Sequence, residues 1–205
     1  MKALGKGSIA SIVQVGLSIA RIVLWVLFVA WGVVAAGYLV LILLTTIGAI
    51  DPASIPAIES NEQLHIQIEG IDPGALRDLK WTDWQIFAPA LLVGGVTVGG
   101  SLIIITRLRR LFDSFTSGEP FRRENATHLR VIWITMVAIE LSRYLLLALL
   151  GVLLGVFGAP ESVANASYSI NGDNFSTWMS ILILIVLAEV FREGARLKEE
   201  QELTI

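Results

Sequence analysis

Apolar residues along this chain come in long unbroken runs, without the three-to-four spacing that marks the buried stripe of a soluble helix. Four runs stand out: Ile22–Ile50, Ile86–Ile105, Leu129–Phe157 and Thr177–Val190. The hydrocarbon core of a bilayer is roughly 30 Å thick and a helix rises about 1.5 Å per residue, so about 20 apolar residues span it. The first three runs meet that length. The fourth is shorter and carries Glu189 near its end, but Trp178 at its start and Phe191-Arg192 after it fit a spanning helix with one polar end. The pattern predicts an all-α fold: an integral membrane four-helix bundle, one domain over 1–205, with an outer loop at 51–85 and a tail at 191–205.

Two segments outside the runs have patterns of their own. Gln63-Leu64-His65-Ile66-Gln67-Ile68-Glu69 alternates polar and apolar with period two, as a half-buried strand does. Pro52, Pro56, Pro73 and Gly74 punctuate the same loop as turns, so a short strand pair over the bundle mouth fits as well as a plain linker. Before the first run, Gly7–Ala20 is weakly amphipathic and reads as an approach lying in the membrane interface. A charged start and an apolar run resemble a signal peptide. The run from Ile22 to Ile50 is far longer than a signal core of about 7–15 residues, however, so a retained helix is expected.

Basic residues set the orientation. Lys2, Lys6 and Arg21 lie at the N-terminal arm, and Arg192, Arg196 and Lys198 lie in the tail. Arg107, Arg109, Arg110, Arg122, Arg123 and Arg130 cluster between the second and third spans. The 51–85 loop has only Arg77 and Lys80 among its many carboxylates, and the segment from Gly158 to Ser176 has no basic residue. Both termini and the middle segment are thus expected in the cytoplasm of a bacterial inner membrane, with Trp25, Trp31, Trp81, Trp84 and Trp178 near the span ends as an aromatic belt.

Composition narrows the chemistry. Hydrophobic residues are 55% of the chain and charged residues 16%, the balance of a membrane protein. With no cysteine, disulfides, thiolate nucleophiles and Cys-ligated metals are excluded. The two histidines, His65 and His128, fall on opposite sides of the membrane in this topology. No phosphate-binding loop and no Ser/His/Asp set at one depth is present. No catalytic residue, cofactor or metal centre is expected, and the chain reads as a non-enzyme.

The polar residues inside the runs are the candidates for function. Glu140 and Arg143 are three apart and share one face of the third span, which continues through Tyr144, Leu147, Gly151 and Gly155. Glu189 and Arg192 fall at a similar depth in the fourth. Charges at bilayer depth are unfavourable by about 3 kcal/mol or more unless they pair, face water or snorkel. A Glu140–Arg143–Glu189–Arg192 intramembrane network would relieve that cost, either as a structural lock or as a polar switch. The small residues at Gly151 and Gly155 are expected to turn the same face into the bundle. Gly95 and Gly99 in the second span have close-packing spacing; packing within the chain is expected over a homo-oligomer.

Between the second and third spans, Leu108, Leu111, Phe112 and Phe115 repeat at helical spacing, so the second helix should run on past the membrane. Gly118 and Pro120 break it, and Asn125 or Thr127 is placed to cap the next helix. Arg109, Arg110, Phe112, Phe115 and Phe121 form a candidate contact surface for anionic lipid headgroups or a soluble partner. Direct nucleic-acid binding is not expected, because no separate basic domain exists. The charged tail ends in Leu203-Thr204-Ile205, and Leu203 and Ile205 are a candidate docking handle.

The stretch Leu111-Phe-Asp-Ser-Phe-Thr-Ser-Gly-Glu-Pro-Phe with Asn125, Leu129 and Arg130 resembles a bacterial membrane family, the domain of unknown function numbered 2975. The tail from Val190-Phe-Arg-Glu-Gly through Leu197-Lys-Glu-Glu-Gln-Glu-Leu-Thr-Ile resembles it as well. The resemblance implies a four-helix protein encoded beside a small Cro/CI-type helix-turn-helix regulator, and it implies no catalytic residue. The expected function is therefore a regulatory or sensory membrane component that engages such a regulator. A small transporter or channel subunit is the alternative, and a lipid-modifying accessory enzyme a more distant one.

Overall fold

Each apolar run falls on one long helix, the first run extending four residues past the end of its helix. The structure is a computed structural model that describes residues 9–55, 82–117, 121–157 and 174–202. Its elements are α1 (Ile9–Thr46), one 3₁₀ turn (Pro52–Ser54), α2 (Trp84–Thr116), α3 (Arg123–Phe157) and α4 (Asn174–Glu202). The fold is all-α, and all four helices are long and apolar enough to cross a membrane. Their side chains point the same way: Ile22, Val26, Val33, Leu39, Leu145, Val156 and Ile183 are large, apolar and exposed. Such continuous apolar surface is foreign to a water-soluble monomer and suits hydrocarbon, where only backbones satisfied from within can stand. Among the described residues there is no strand; the period-two stretch Gln63–Glu69 lies outside them.

The helix ends follow local chemistry. α1 stops four residues earlier than its apolar run, at Thr46, because Gly48 adopts a left-handed conformation (φ +74°). The Ala49 amide donates to the Leu44 carbonyl at 2.9 Å and the Gly48 amide to Thr45 at 3.2 Å, the paired bonds that close a helix through a C′ glycine. At its other end α1 runs unbroken from Ile9, so Ile9–Ala20 of the expected approach is one helix with the first apolar run. α2 opens on Asp83, whose carbonyl accepts from the Ile86 amide at 3.0 Å and the Phe87 amide at 3.2 Å. α3 begins at Arg123, earlier than a cap at Asn125 or Thr127 would place it, with the Arg122 carbonyl accepting from the Asn125 amide at 3.0 Å.

The chain divides into two compact units. The first comprises Met1–Val29, Thr97–Glu140 and Asp173–Ile205. Its core is Leu111, Leu129 and Ala188, with Leu108, Phe115, Trp133, Leu184 and Phe191 packed around it. Gly100 lets α2 and α3 approach, since a Cβ there would stand 2.7 Å from Ile139 Cδ1 and 3.2 Å from Thr135 Cγ2.

The second unit comprises Ala30–Val96 and Leu141–Gly172. Here the Trp31 ring of α1 lies on the α2 backbone: a Cβ on Gly95 would meet Trp31 Cη2 at 2.6 Å. The α2 glycines therefore serve packing within the chain, as their spacing suggested. Tyr38 packs on Phe87 (centroids 5.8 Å apart) and Trp84 meets Phe157 edge-on at 5.2 Å. Gly151 and Gly155 reverse the expectation drawn from their spacing. Both are exposed, and a Cβ on either would touch no described atom. Their spacing marks a face, but the helix is rotated so that Leu146 and Leu150 are buried in their place.

Candidate partner interface

Four phenylalanines gather at the α2–α3 end of the first unit. Phe112 and Phe115, on the last turns of α2, meet edge-on with centroids 5.9 Å apart. Phe115 also contacts Phe191 of α4 at 5.9 Å, and Phe191 contacts Phe121, which precedes α3, at 5.7 Å. The Phe121 ring then lies over Gly194, where a Cβ would stand 2.7 Å from Phe121 Cδ1 and 3.0 Å from Cε1. One aromatic chain thereby ties the end of α2, the start of α3 and the distal part of α4. Ring pairs of this geometry contribute about 0.5–1.5 kcal/mol beyond their buried area.

Beside the rings lies a polar lock. Asn125 is 1% exposed, and its amide donates to Ser114 Oγ across the α2–α3 turn. Asn125 is thus a buried tie between two helices. Leaving such an amide unpaired would cost about 1–3 kcal/mol, which explains a polar residue amid Ala126 and Leu129. The Gln14 side-chain amide of α1 donates to Asp113 Oδ1, fastening a third helix to the same turn.

The four residues of the expected intramembrane network lie on α3 (Glu140 and Arg143) and on α4 (Glu189 and Arg192). Glu189 and Arg192 pair with each other, three apart on α4, and both side chains are more than half exposed. Arg196 repeats the motif one turn on, with Glu193 at 2.7 Å and Glu200 at 3.4 Å. These exposed pairs run as a stripe along α4, where each contributes little, about 0–1 kcal/mol. Glu140 is buried in the first unit at 3% exposure, and Arg143 belongs to the second unit and is half-buried.

Of the candidate contact residues, Phe112, Phe115 and Phe121 join in the aromatic chain, with Phe121 45% exposed. Arg109 is half-buried and Arg110 exposed. Leu203 and Ile205 lie outside the described residues. Phe191, Gly194, Ser114 and the buried role of Asn125 escape a reading of spacing alone. Only the family resemblance of the stretch Val190-Phe-Arg-Glu-Gly pointed at the first two. Among the described residues no group of three His, Cys, Asp or Glu side chains is placed to hold a metal ion.

A family model described as "Protein of unknown function (DUF2975)" matches residues 75–205. The chain belongs to that family. The match covers α2, α3 and α4, and hence all four phenylalanines and the Ser114–Asn125 tie; α1 precedes it. Comparison with curated proteins and with solved structures found no match.

Proposed function

We propose that this DUF2975 protein is a non-enzymatic regulatory or sensory component of the bacterial inner membrane. In this reading both termini are cytoplasmic, and the α2–α3 end with the distal part of α4 holds a small Cro/CI-type helix-turn-helix regulator. The observation that carries it is the extension of α4. Its apolar run ends at Val190, yet the helix continues about three turns to Glu202, with Leu197 exposed among charges and its base clamped by Phe115, Phe121 and Phe191. A charged helix continued past its apolar run offers a surface to a soluble partner, with Leu197 as its exposed apolar side chain.

The test uses the full chain in detergent and the purified helix-turn-helix regulator encoded nearest its gene. Saturable binding is expected. Deleting Glu202–Ile205 should weaken binding at least tenfold while leaving the melting temperature within a degree or two, and Leu197→Asp should weaken it similarly. Equal binding by the full chain, the truncation and Leu197→Asp would remove α4 as the interface.

A further inference from the structure

Just beyond the apolar runs of α2 and α3, the first unit holds a cavity of about 430 Å³. That is within the usual size range of small-ligand sites, about 300–1,000 Å³. Arg110 and Asp113 of α2 line it with Ser117 just past that helix, and Glu124 and His128 of α3 line it with Arg122 just before that helix. Each wall therefore carries one guanidinium and one carboxylate. The Asn125–Ser114 tie holds the two walls together, and Gln14 from α1 fixes the Asp113 carboxylate. His128 lies in the field of Arg107, Arg110 and Glu124, and its Nδ1 is buried with no hydrogen-bond partner among the described residues.

Depth says what can reach this cavity. Arg110 is five residues past Ile105, or about 7–8 Å along the helix. His128 immediately precedes Leu129, where the third apolar run begins. The headgroup layer on each side of the hydrocarbon is roughly 5–8 Å thick. The Arg110–His128 side of the cavity thus lies level with lipid headgroups, and Ser117 is twelve residues past the end of the second apolar run.

We propose that this cavity binds a phosphoethanolamine group, presented as the headgroup of a membrane lipid. The phosphate sits against Arg110, Arg122 and His128, and the ammonium against Glu124 and Asp113. Guanidinium forks match phosphate oxygens in geometry as well as charge. A simple anion meets only half of this lining, leaving the Asp113 and Glu124 carboxylates unanswered. A dipolar headgroup satisfies both signs. This site goes beyond the regulator reading and does not depend on it.

Isothermal titration of the full chain in dodecyl maltoside tests the site with four probes: dihexanoyl phosphatidylethanolamine, dihexanoyl phosphatidylglycerol, O-phosphoethanolamine and inorganic phosphate. The ethanolamine lipid should bind at one site, at least tenfold tighter than the glycerol lipid. Arg110→Gln should weaken it at least tenfold, and Glu124→Gln should close most of the gap between the two lipids. Both side chains are exposed, so the fold should persist, as helical circular dichroism and melting would verify. Equal binding of the two lipids by the unmodified chain, inorganic phosphate binding as tightly as the ethanolamine lipid, or indifference to Arg110→Gln would each overturn the proposal. O-phosphoethanolamine binding as tightly as its lipid would support the headgroup chemistry and overturn the lipid as its source.

Discussion

The two units of this chain hold their helices by different means. The first mixes apolar and polar burial: Leu111, Leu129 and Ala188 surround the Asn125–Ser114 tie, with phenylalanines chained at the end. The second relies on shape, with the Trp31 ring lying on the bare backbone of Gly94 and Gly95, and with Leu146, Leu150 and Ile86 buried without a polar partner. Lipid explains the difference. Within hydrocarbon, apolar side chains gain nothing by leaving their solvent, so close van der Waals contact has to hold helices together. Where a unit reaches water, the hydrophobic effect operates again and buried hydrogen bonds can specify which helices meet.

That contrast can be broken most completely by topology. The chain lacks cysteine, so Ser117→Cys and Ser169→Cys each introduce a single reactive thiol. An impermeant maleimide should label position 117 only from the cytoplasmic face and position 169 only from the outer face, as the basic residues predict. Labelling of both from one side would remove the assignment of the first unit to the cytoplasmic end.

Next in size are two buried leucines, Leu111 at 5% and Leu150 at 1% exposure. Leu111→Ala, in the first unit and six residues past the second apolar run, should destabilise by about 2–5 kcal/mol, the sum of lost burial from water and a cavity. Leu150→Ala, in the second, should lose mainly the cavity part, about 1–2 kcal/mol, because its helices are solvated by lipid even when apart. Reversible unfolding in mixed micelles measures both. Equal losses would show that the two environments do not differ in the way argued above.

The glycines range from a loss like that of Leu150→Ala down to none. Gly95→Ala forces a methyl into the rigid Trp31 indole at 2.6 Å and should lower stability by about 1–3 kcal/mol. Gly194→Ala presses on Phe121, which is nearly half exposed and free to swing, so the loss should stay below about 1 kcal/mol. Gly151→Ala meets open space and should be neutral, or stabilising by about 0.5–1 kcal/mol through helix propensity. Thermal melts of the three variants in one detergent rank them. A destabilising Gly151→Ala would reveal a neighbour on that face, such as a second copy of the chain.

Much of this protein could be read from its sequence because the bilayer imposes a rule on local stretches of chain. A span must be contiguous, apolar and helical, so hydropathy alone located the four helices, and the helical spacing of Leu108, Leu111, Phe112 and Phe115 located the extension of α2 past Ile105. The apolar run missed the end of α1, since it reaches Ile50 while Gly48 closes the helix at Thr46. Which faces meet was not legible. A helix that is apolar all round has no stripe to mark its buried side. Two glycine pairs with the same spacing therefore had opposite fates, Gly95 and Gly99 against α1, and Gly151 and Gly155 in the open. Polar residues were similarly ambiguous. Asn125 suited a helix cap yet became a buried tie to Ser114, and Glu189 and Arg192 found each other on an exposed face of α4. Spacing fixes what residues share within one helix. The partner across the gap is decided only when helices three turns or a hundred residues apart come together and each buried polar group must find its match.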